Sequence, residues 1–426
     1  MSEAPPTILL SYGYRASTCG YCSPPGVRSQ TETSVTVGAP ALQLSCEMYQ
    51  KMVDRGWRRS GTYNYQPRMI ETCCPQYPIR LDAHKFEPTR NQRKALYRFN
   101  RFVVSGDSTE DSNTMDTTAA PIVSDAEKKG KNGASSVKSK PRKQVFSLVE
   151  AIHASEATSI SPSSPPPLHK FEVTIEPASY TEEKFELYKD YQHHVHKEEE
   201  KKPSSFDRFL CDTCLVPQNI PYTNTPGPGL PTQYGTHHQL YRIDGELVAM
   251  SVLDILPNCV SGVYFMYSSK WEHCQLGKLS VLREAALARE IHAAGLDSMK
   301  WVYLGFYIHS CQKMRYKGDY APSYLLDPES YEWYPLETCK PLLDKHRYVC
   351  FSNPSHSCDE TKKPALIKRK QSELTDVMYC QVRNRTLVAI PMSQISAEVW
   401  KRYSDDLLYT LDALGPHISR EVFFKF

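Results

Sequence analysis

Two pairs of cysteines are the first residues whose types and spacing can do chemistry. Cys19-Gly-Tyr-Cys22 sets two thiols on one tight turn, and Cys73-Cys74, followed by Pro75, supplies a second pair. A C-x-x-C turn lets two thiolates face one ion, and a second pair completes a tetrahedral set. Four thiolates suit Zn²⁺ or a [4Fe-4S] cluster, and the pattern leaves both open. Cys211-Asp-Thr-Cys214 repeats the spacing without a neighbouring partner pair and reads as two partly buried thiols. The second concentration lies at Trp301–Gly318, WVYLGFYIHSCQKMRYKG. It opens as an apolar strand, breaks at Gly305, then turns polar through Tyr307, His309, Cys311, Lys313, Arg315 and Lys317. Strand ends are where mixed folds place chemistry. Cations there favour anions, and His309 exchanges protons near neutral pH.

The elements that must position these groups follow from periodicity. Phe171–Ile175 alternates as a strand, and Thr181 caps a helix carrying Phe185, Tyr188 and Tyr191. THHQLYRI and ELVAMSVLDIL flank Asp244-Gly245, a strong hairpin signal, and VSGVYFMY continues the strand series. Leu276–Ala294 reads as a helix with Gly295 as its stop, and the Trp301 strand comes next. Upstream, residues 89–103 form a helix after Pro88. Arg90, Arg93, Lys94, Arg98 and Arg101 share one face; Leu96, Phe99 and Val103 share the other. Near the C-terminus Ser396 caps a helix with Trp400, Tyr403, Leu407 and Leu411 as its stripe, stopped by Gly415-Pro416.

Composition divides the chain. Residues 105–167 are rich in Ser, Thr, Pro and Lys and too poor in apolar residues to offset their ordering entropy, which implies a disordered linker. Within it QVFSLVEAI, residues 144–152, is a short amphipathic island able to dock. The expected organisation is a Cys-rich domain with a basic helix over 1–104, the linker over 105–167, a second folded domain over 168–350, and a C-terminal extension with one helix over 351–426. Charge is balanced, 51 Lys and Arg against 48 Asp and Glu, so any nucleic-acid surface is a local patch. No apolar run reaches membrane-spanning length. Fourteen cysteines without a secretory signal point to a reducing compartment, the cytoplasm or nucleus.

YLGFYIHSCQKMRYKG resembles the signature of the eukaryotic arginyl-tRNA–protein transferases, the arginyltransferases of the N-degron pathway. CGYC, DRGWRRSGTYNYQP (54–67), TCCPQYPIR (72–80) and LDILPNCVSGVYFMY (253–267) resemble family segments in the same order. The resemblance covers roughly residues 12–103 and 171–350. It implies an α+β chain: a Cys-rich metal- or cluster-binding domain, then a mixed-sheet acyltransferase domain like that of the N-acetyltransferase superfamily (GNAT-like). The order β-α-β-β-β-α-β agrees with that plan.

The implied reaction moves arginine from its charged tRNA to the N-terminal amine of proteins beginning with Asp, Glu or oxidised Cys. Such a site must hold a guanidinium, an acidic side chain and the tRNA acceptor end. Asp254 leads as the guanidinium receptor and Glu284 is second, because carboxylates pair with guanidinium in a bidentate way. Arg283, Arg315 and Lys317 are candidates for the acidic N-terminus. His238, Tyr264, Tyr307 and His309 are candidates for aligning amine or ester. The tRNA candidates are Arg58 and Arg59 beside Trp57, and the stripe Arg90, Arg93, Lys94, Arg98, Arg101. Two segments depart from the family pattern: His237 and Leu240 replace an aromatic and a Gln, and Ser268–Trp271 replaces a Tyr-Asp-Pro turn. Coenzyme A is not expected, since CQLGKL opens the 276 helix with one glycine only, too few for a pyrophosphate loop. The chain is expected to act as a monomer. The alternative reading is a non-catalytic, metal-containing RNA-binding adaptor with a decayed acyltransferase domain.

Overall fold

Asp244 and Gly245 both take positive φ, +52° and +84°, as a two-residue hairpin turn of the right twist requires. They join β10 (Gln233–Ile243) to β11 (Glu246–Leu256), which pairs onward with β12 (Cys259–Tyr267). The computed structural model that shows this describes residues 5–22, 27–106, 146–157, 159, 165–198, 201–363, 369–383 and 386–426. Among them two nine-stranded sheets form. The sheet holding the hairpin runs β15 (Trp333–Pro335), β14 (Ser323–Leu326), β6 (Tyr77–Asp82), β13 (Trp301–Tyr307), β12, β11, β10, β7 (Phe171–Pro177), with β9 (Gln218–Asn219) beside β10. The other runs β17 (Thr386–Pro391), β16 (Met378–Arg383), β18 (Phe423–Lys425), β1 (Ile8–Leu10), β3 (Ser34–Ser45), β5 (Tyr63–Pro67), β4 (Arg58–Ser60), with β2 (Gly13–Ser17) and β8 (Leu215–Val216) also on β3. The result is an α+β fold with a GNAT-like mixed sheet.

The two sheets do not follow the contiguous division expected from composition. β6, from the Cys-rich region, inserts between β13 and β14, pairing Trp301 with Asp82 and Ser323 with Leu81. β18, three residues long, pairs in parallel with β1, and the C-terminal extension adds β16 and β17 to the same sheet. The extension is thus a strand donor as well as a helix. That helical stretch, α9 (Ala397–Glu421), is capped by Ser396 as expected. Gly415, at φ +75° and ψ 165°, breaks the helical path where the Gly415-Pro416 stop was expected, and a second helical segment follows across the kink.

Helices cover the faces. α1 (Cys46–Asp54) packs Met52 and Val53 inward. α2 (Arg90–Ser105) starts in a capping box between Thr89 and Gln92 and buries Leu96, Phe99 and Val103. α4 (Glu182–Tyr191) and the short α5 (Pro203–Phe206) cover one face of the GNAT-like sheet through Phe185, Tyr188 and Phe206. α6 (Leu276–Ala293) is buried along most of its length against β12 and β13. α7 (Gln312–Arg315) and α8 (Leu336–Leu343) follow β13 and β15.

Part of the expected linker is folded. α3 (Leu148–His153) buries Leu148 and Ile152 and packs on α2 and α6. His153 bridges Glu156 (2.8 Å) and Glu290 (2.9 Å), and those two bonds raise its pKa to about 9. Residues 107–145, 158 and 160–164 of that segment lie outside the described residues.

Candidate active site and metal centre

The GNAT-like sheet holds one parallel pair among its described strands, β12 with β13. Pairing runs from Cys259–Trp301 to Ser261–Tyr303 and then stops, while both strands continue. Each strand is distorted just there. The β11–β12 register shifts beyond Leu253–Gly262, and the β13–β6 register shifts between Tyr303 and Phe306, around Gly305 at φ +74°. The strands part, and a glycine stands on each side of the opening.

A charged side chain is seated against each glycine. A Cβ on Gly262 would lie 3.2 Å from Glu284 Oε2, and one on Gly305 would lie 3.6 Å from Lys317 Nζ. Glu284 reaches this point from α6 and is only 5% exposed. It has no hydrogen bond or ion pair among the described residues, and burial pushes its pKa up to about 8, with Lys317 partly opposing. Lys317 is half-buried and donates to the Phe306 carbonyl at 2.9 Å. Desolvation first, then the nearby Arg58, lowers its pKa to about 7. Burial thus pushes both groups toward their neutral forms, and the attraction between them opposes that only in part.

Arg58 completes the cluster. Its guanidinium lies over the Tyr303 and Phe306 rings, 5.2 and 5.6 Å from their centroids. Nη1 donates to the carbonyls of Val53 and Trp57, at 3.1 and 2.6 Å. Nε and Nη2 are buried without a hydrogen-bond partner. An unpartnered edge on a buried guanidinium is costly unless a ligand fills it.

Several residues expected at a ligand surface are committed elsewhere. Asp254 is fully buried and takes both oxygens to Arg59, at 2.6 and 2.9 Å, while Thr236 bridges them. Neither Asp254 for a guanidinium nor Arg59 for tRNA has a free edge, and the pair instead stitches β4 to β11. Gly61, at φ +60° with a would-be Cβ 2.1 Å from the Arg208 carbonyl, makes the β4–β5 turn that aims Arg59 there. Arg283 is spent on Glu156 at 2.5 Å and on the Ile152 carbonyl, so α3 occupies the group expected to meet an acidic N-terminus. His238 is fully buried under the α4–α5 layer and bonded to the Leu210 carbonyl at 3.0 Å. Burial lowers its pKa to about 4, which favours the neutral imidazole there. Arg58 also leaves the tRNA surface for the interior cluster.

Other candidates stay near the strand end. The Tyr307 hydroxyl bonds His309 Nδ1 at 3.0 Å, and His309 Nε2 bonds Asp344 at 2.9 Å, a chain whose carboxylate the sequence reading missed. Arg315 is exposed beside Tyr307 and helps lower a phenol pKa that desolvation raises. Tyr264 faces the α4 layer instead, bonded by Gln192 at 2.7 Å and near His196 at 3.3 Å. Arg93, Lys94 and Arg98 lie on the outward face of α2 together with the exposed Arg90 and Arg101.

The cysteine pairs converge. The sulfurs of Cys19, Cys22, Cys73 and Cys74 all lie within 4.8 Å of one another. Tyr21 N–H donates to Cys19 Sγ at 3.3 Å, and the Thr33 hydroxyl donates to Cys73 Sγ at 3.2 Å. Desolvation raises the Cys19 pKa, but hydrogen bonds from the Tyr21 and Cys22 backbone and from the Cys73 and Cys22 thiols turn the net shift downward, whereas burial raises those of Cys22 and Cys74. Thiolates receiving such bonds fit a tetrahedral metal or cluster. The site packs against Phe306 and Ile308 at the end of β13.

The sequence matches known proteins in two regions. Residues 17–94 match the family model of the N terminus of arginine-tRNA-protein transferase, and residues 183–327 match that of its C terminus. Arginyl-tRNA–protein transferase 1 of Drosophila melanogaster is 32% identical over 424 residues, covering 80% of this chain and 85% of that one. The protein of the same name from Arabidopsis thaliana is 30% identical over 490 residues, covering 82% and 76%. An aspartate/glutamate leucyltransferase of Pseudomonas fluorescens is 27% identical over 289 residues, covering 67% and 83%.

Proposed function

The chain belongs to the arginine-tRNA-protein transferase family, and from that premise we propose that it moves arginine from arginyl-tRNA to the N-terminal amine of proteins beginning with Asp, Glu or oxidised Cys, marking them for ubiquitin-dependent degradation. The observation that carries the assignment of roles is the strand opening, with an unpaired carboxyl on one side and unpaired cations on the other. Glu284 receives the guanidinium of the arginyl group. A cation arriving beside it favours the carboxylate and reverses the burial effect. Arg58 and Lys317 receive the acidic side chain of the acceptor, which fills the open Nε–Nη2 edge. Glu284 releases a proton as Lys317 gains one, so loading both substrates is nearly proton-neutral.

The ester is already activated, so positioning supplies most of the catalysis. An α-amine with pKa near about 7.7–8.0 provides enough neutral nucleophile at neutral pH. Tyr307, His309 and Asp344 form a hydrogen-bonded chain that fixes the end of β13 and orients the acceptor, with Arg315 beside it. The outward face of α2 carries the tRNA backbone.

Cys19, Cys22, Cys73 and Cys74 hold a Zn²⁺ ion or a [4Fe-4S] cluster; either fits four converging thiolates. Bound there, the group braces the turn at the end of β13. We read the protein as cytoplasmic and nuclear, on the cysteine-rich sequence without a secretory signal. Among the described residues no helix is long and apolar enough to cross a membrane. We read the working unit as a monomer.

The test is transfer of labelled arginine from charged tRNA to peptides beginning with Asp or Ala. Wild type should label the Asp peptide alone. Arg58→Met should raise KM for that peptide by at least about 10-fold while leaving KM for the charged tRNA unchanged. Equal labelling of both peptides, or none from folded, metal-replete protein, would overturn the reading in favour of an RNA-binding adaptor.

A further inference from the structure

A second group of metal-type donors lies outside the cysteine centre. Glu329, Cys350 and His356 bring a carboxylate oxygen, a sulfur and an imidazole nitrogen within 4.8 Å of one another. The donors come from two loops: the turn between β14 and β15, and the segment after α8 closed by the Tyr348–Cys358 bridge. One buried carboxylate locks these loops together. Asp327 accepts N–H bonds from Glu329 (2.9 Å) and Ser330 (2.7 Å) in its own loop, and from Phe351 (2.6 Å) and Ser352 (2.9 Å) in the other. The donors are therefore held by backbone that is already fixed. His356 Nδ1 and Glu329 Oε2 are 2.7 Å apart, and Glu329 Oε1 accepts the Tyr348 hydroxyl at 3.0 Å. The Asn353 side-chain amide donates to His356 Nε2 at 3.0 Å, which fixes the ring with its Nδ1–H toward Glu329. Cys350 is buried, whereas Glu329 and His356 are exposed, so an ion would enter from solvent.

We propose that Glu329, Cys350 and His356 form a mononuclear site for Zn²⁺ or a similar late divalent ion, distinct from the four-cysteine centre. A thiolate with an imidazole and a carboxylate selects zinc-type ions over Mg²⁺ or Ca²⁺, which prefer all-oxygen sets. Three protein ligands leave the fourth tetrahedral position to water. Binding expels the Cys350 thiol proton to solvent, together with any proton shared between His356 and Glu329. The ion closes the chain from residue 329 to residue 350. That loop contains α8 and Asp344, the partner of His309, so the site acts as a staple on the segment behind the strand end.

The experiment counts metal per chain by elemental analysis of full-length protein, demetallated, titrated with Zn²⁺ and freed of excess. Wild type should retain one more equivalent than His356→Gln or Glu329→Gln, and Cys73→Ala should retain that equivalent. Both substituted side chains are exposed, so the variants should fold. Zn²⁺ should also raise the Tm of Cys73→Ala but not that of Cys73→Ala/His356→Gln. Equal zinc content in wild type and His356→Gln would overturn the proposal, as would an equal Tm response in those two variants.

Discussion

Arg58 and Arg59 are neighbours on β4, both buried, and the fold uses them in opposite ways. Arg59 meets Asp254 in a two-pronged ion pair, with Thr236 and the Gly61 carbonyl taking further donors. Arg58 keeps two buried donors without partners, and the cluster it joins holds an unpaired Lys317 and an unpaired Glu284. A buried pair with every polar atom partnered is architecture: it joins two sheets and stays closed. A buried cluster with carboxyl and cations held apart is strained by desolvation and relaxes when a ligand supplies the missing charges. Charge content alone does not separate the two regions; satisfaction of the charges does.

Breaking the paired region should have the largest effect, and on stability. Asp254→Ala leaves Arg59 buried without a counter-ion and should cost about 3–5 kcal/mol, read by denaturant unfolding. An unchanged midpoint would mean that Arg59 finds water or another partner, and the contrast would fail. Breaking the unpaired region should act on activity. Glu284→Gln should lower kcat/KM for arginine transfer by about 100-fold, near 2.7 kcal/mol of transition-state binding. Its Tm should stay level or rise, because a buried carboxyl without a partner has been removed. A variant that loses stability together with activity would place Glu284 with the architecture.

The legible parts were local. The Asp244-Gly245 hairpin, the Thr89 cap, the α6 helix and the paired cysteines each write their geometry within a few residues. Trp301–Gly318 was marked by its mixture of types, and Gly305 by its place inside a strand. The partners were not legible. Arg59 and Asp254 are 195 residues apart, and nothing near either announces that one consumes the other. Glu156, which takes Arg283, lies in a segment whose composition reads as linker. β6 enters the GNAT-like sheet from the Cys-rich region because an open strand edge accepts any complementary neighbour, and that choice has no local signature. Glu284 was named but ranked second. Gly262, which makes room for its carboxyl, signals only once the strand is known to part from its neighbour.

Titration sharpens the same contrast at smaller scale. Glu284 has a folded pKa raised from 4.5 to about 8, so it binds more protons folded than unfolded across that window. Its penalty is absent below about pH 4.5 and complete above about 8. The Tm gained by Glu284→Gln should therefore grow as pH rises from about 5 to 8. Lys317 runs oppositely, its folded pKa lowered from 10.5 to about 7. Its penalty is full below about pH 7 and fades toward 10.5, so the gain from Lys317→Met should shrink as pH rises through that range. Parallel slopes for the two variants would show that the groups titrate as one closed pair, like Arg59 and Asp254.

The smallest effects should come from cations on the surface. Lys94 and Arg98 project from the outward face of α2, whose opposite face packs Leu96 and Phe99 into the core. Water already solvates these charges, so removing them should change stability by no more than about 0.5 kcal/mol. If they meet tRNA phosphates, Lys94→Gln and Arg98→Gln should each weaken tRNA binding a few-fold and flatten its salt dependence by about one unit of log–log slope, additively. Selectivity between Asp and Ala peptides should not move, because that choice belongs to the unpaired interior cations. A change in peptide selectivity without a change in salt slope would break the division between a surface that gathers the nucleic acid and an interior that reads the acceptor.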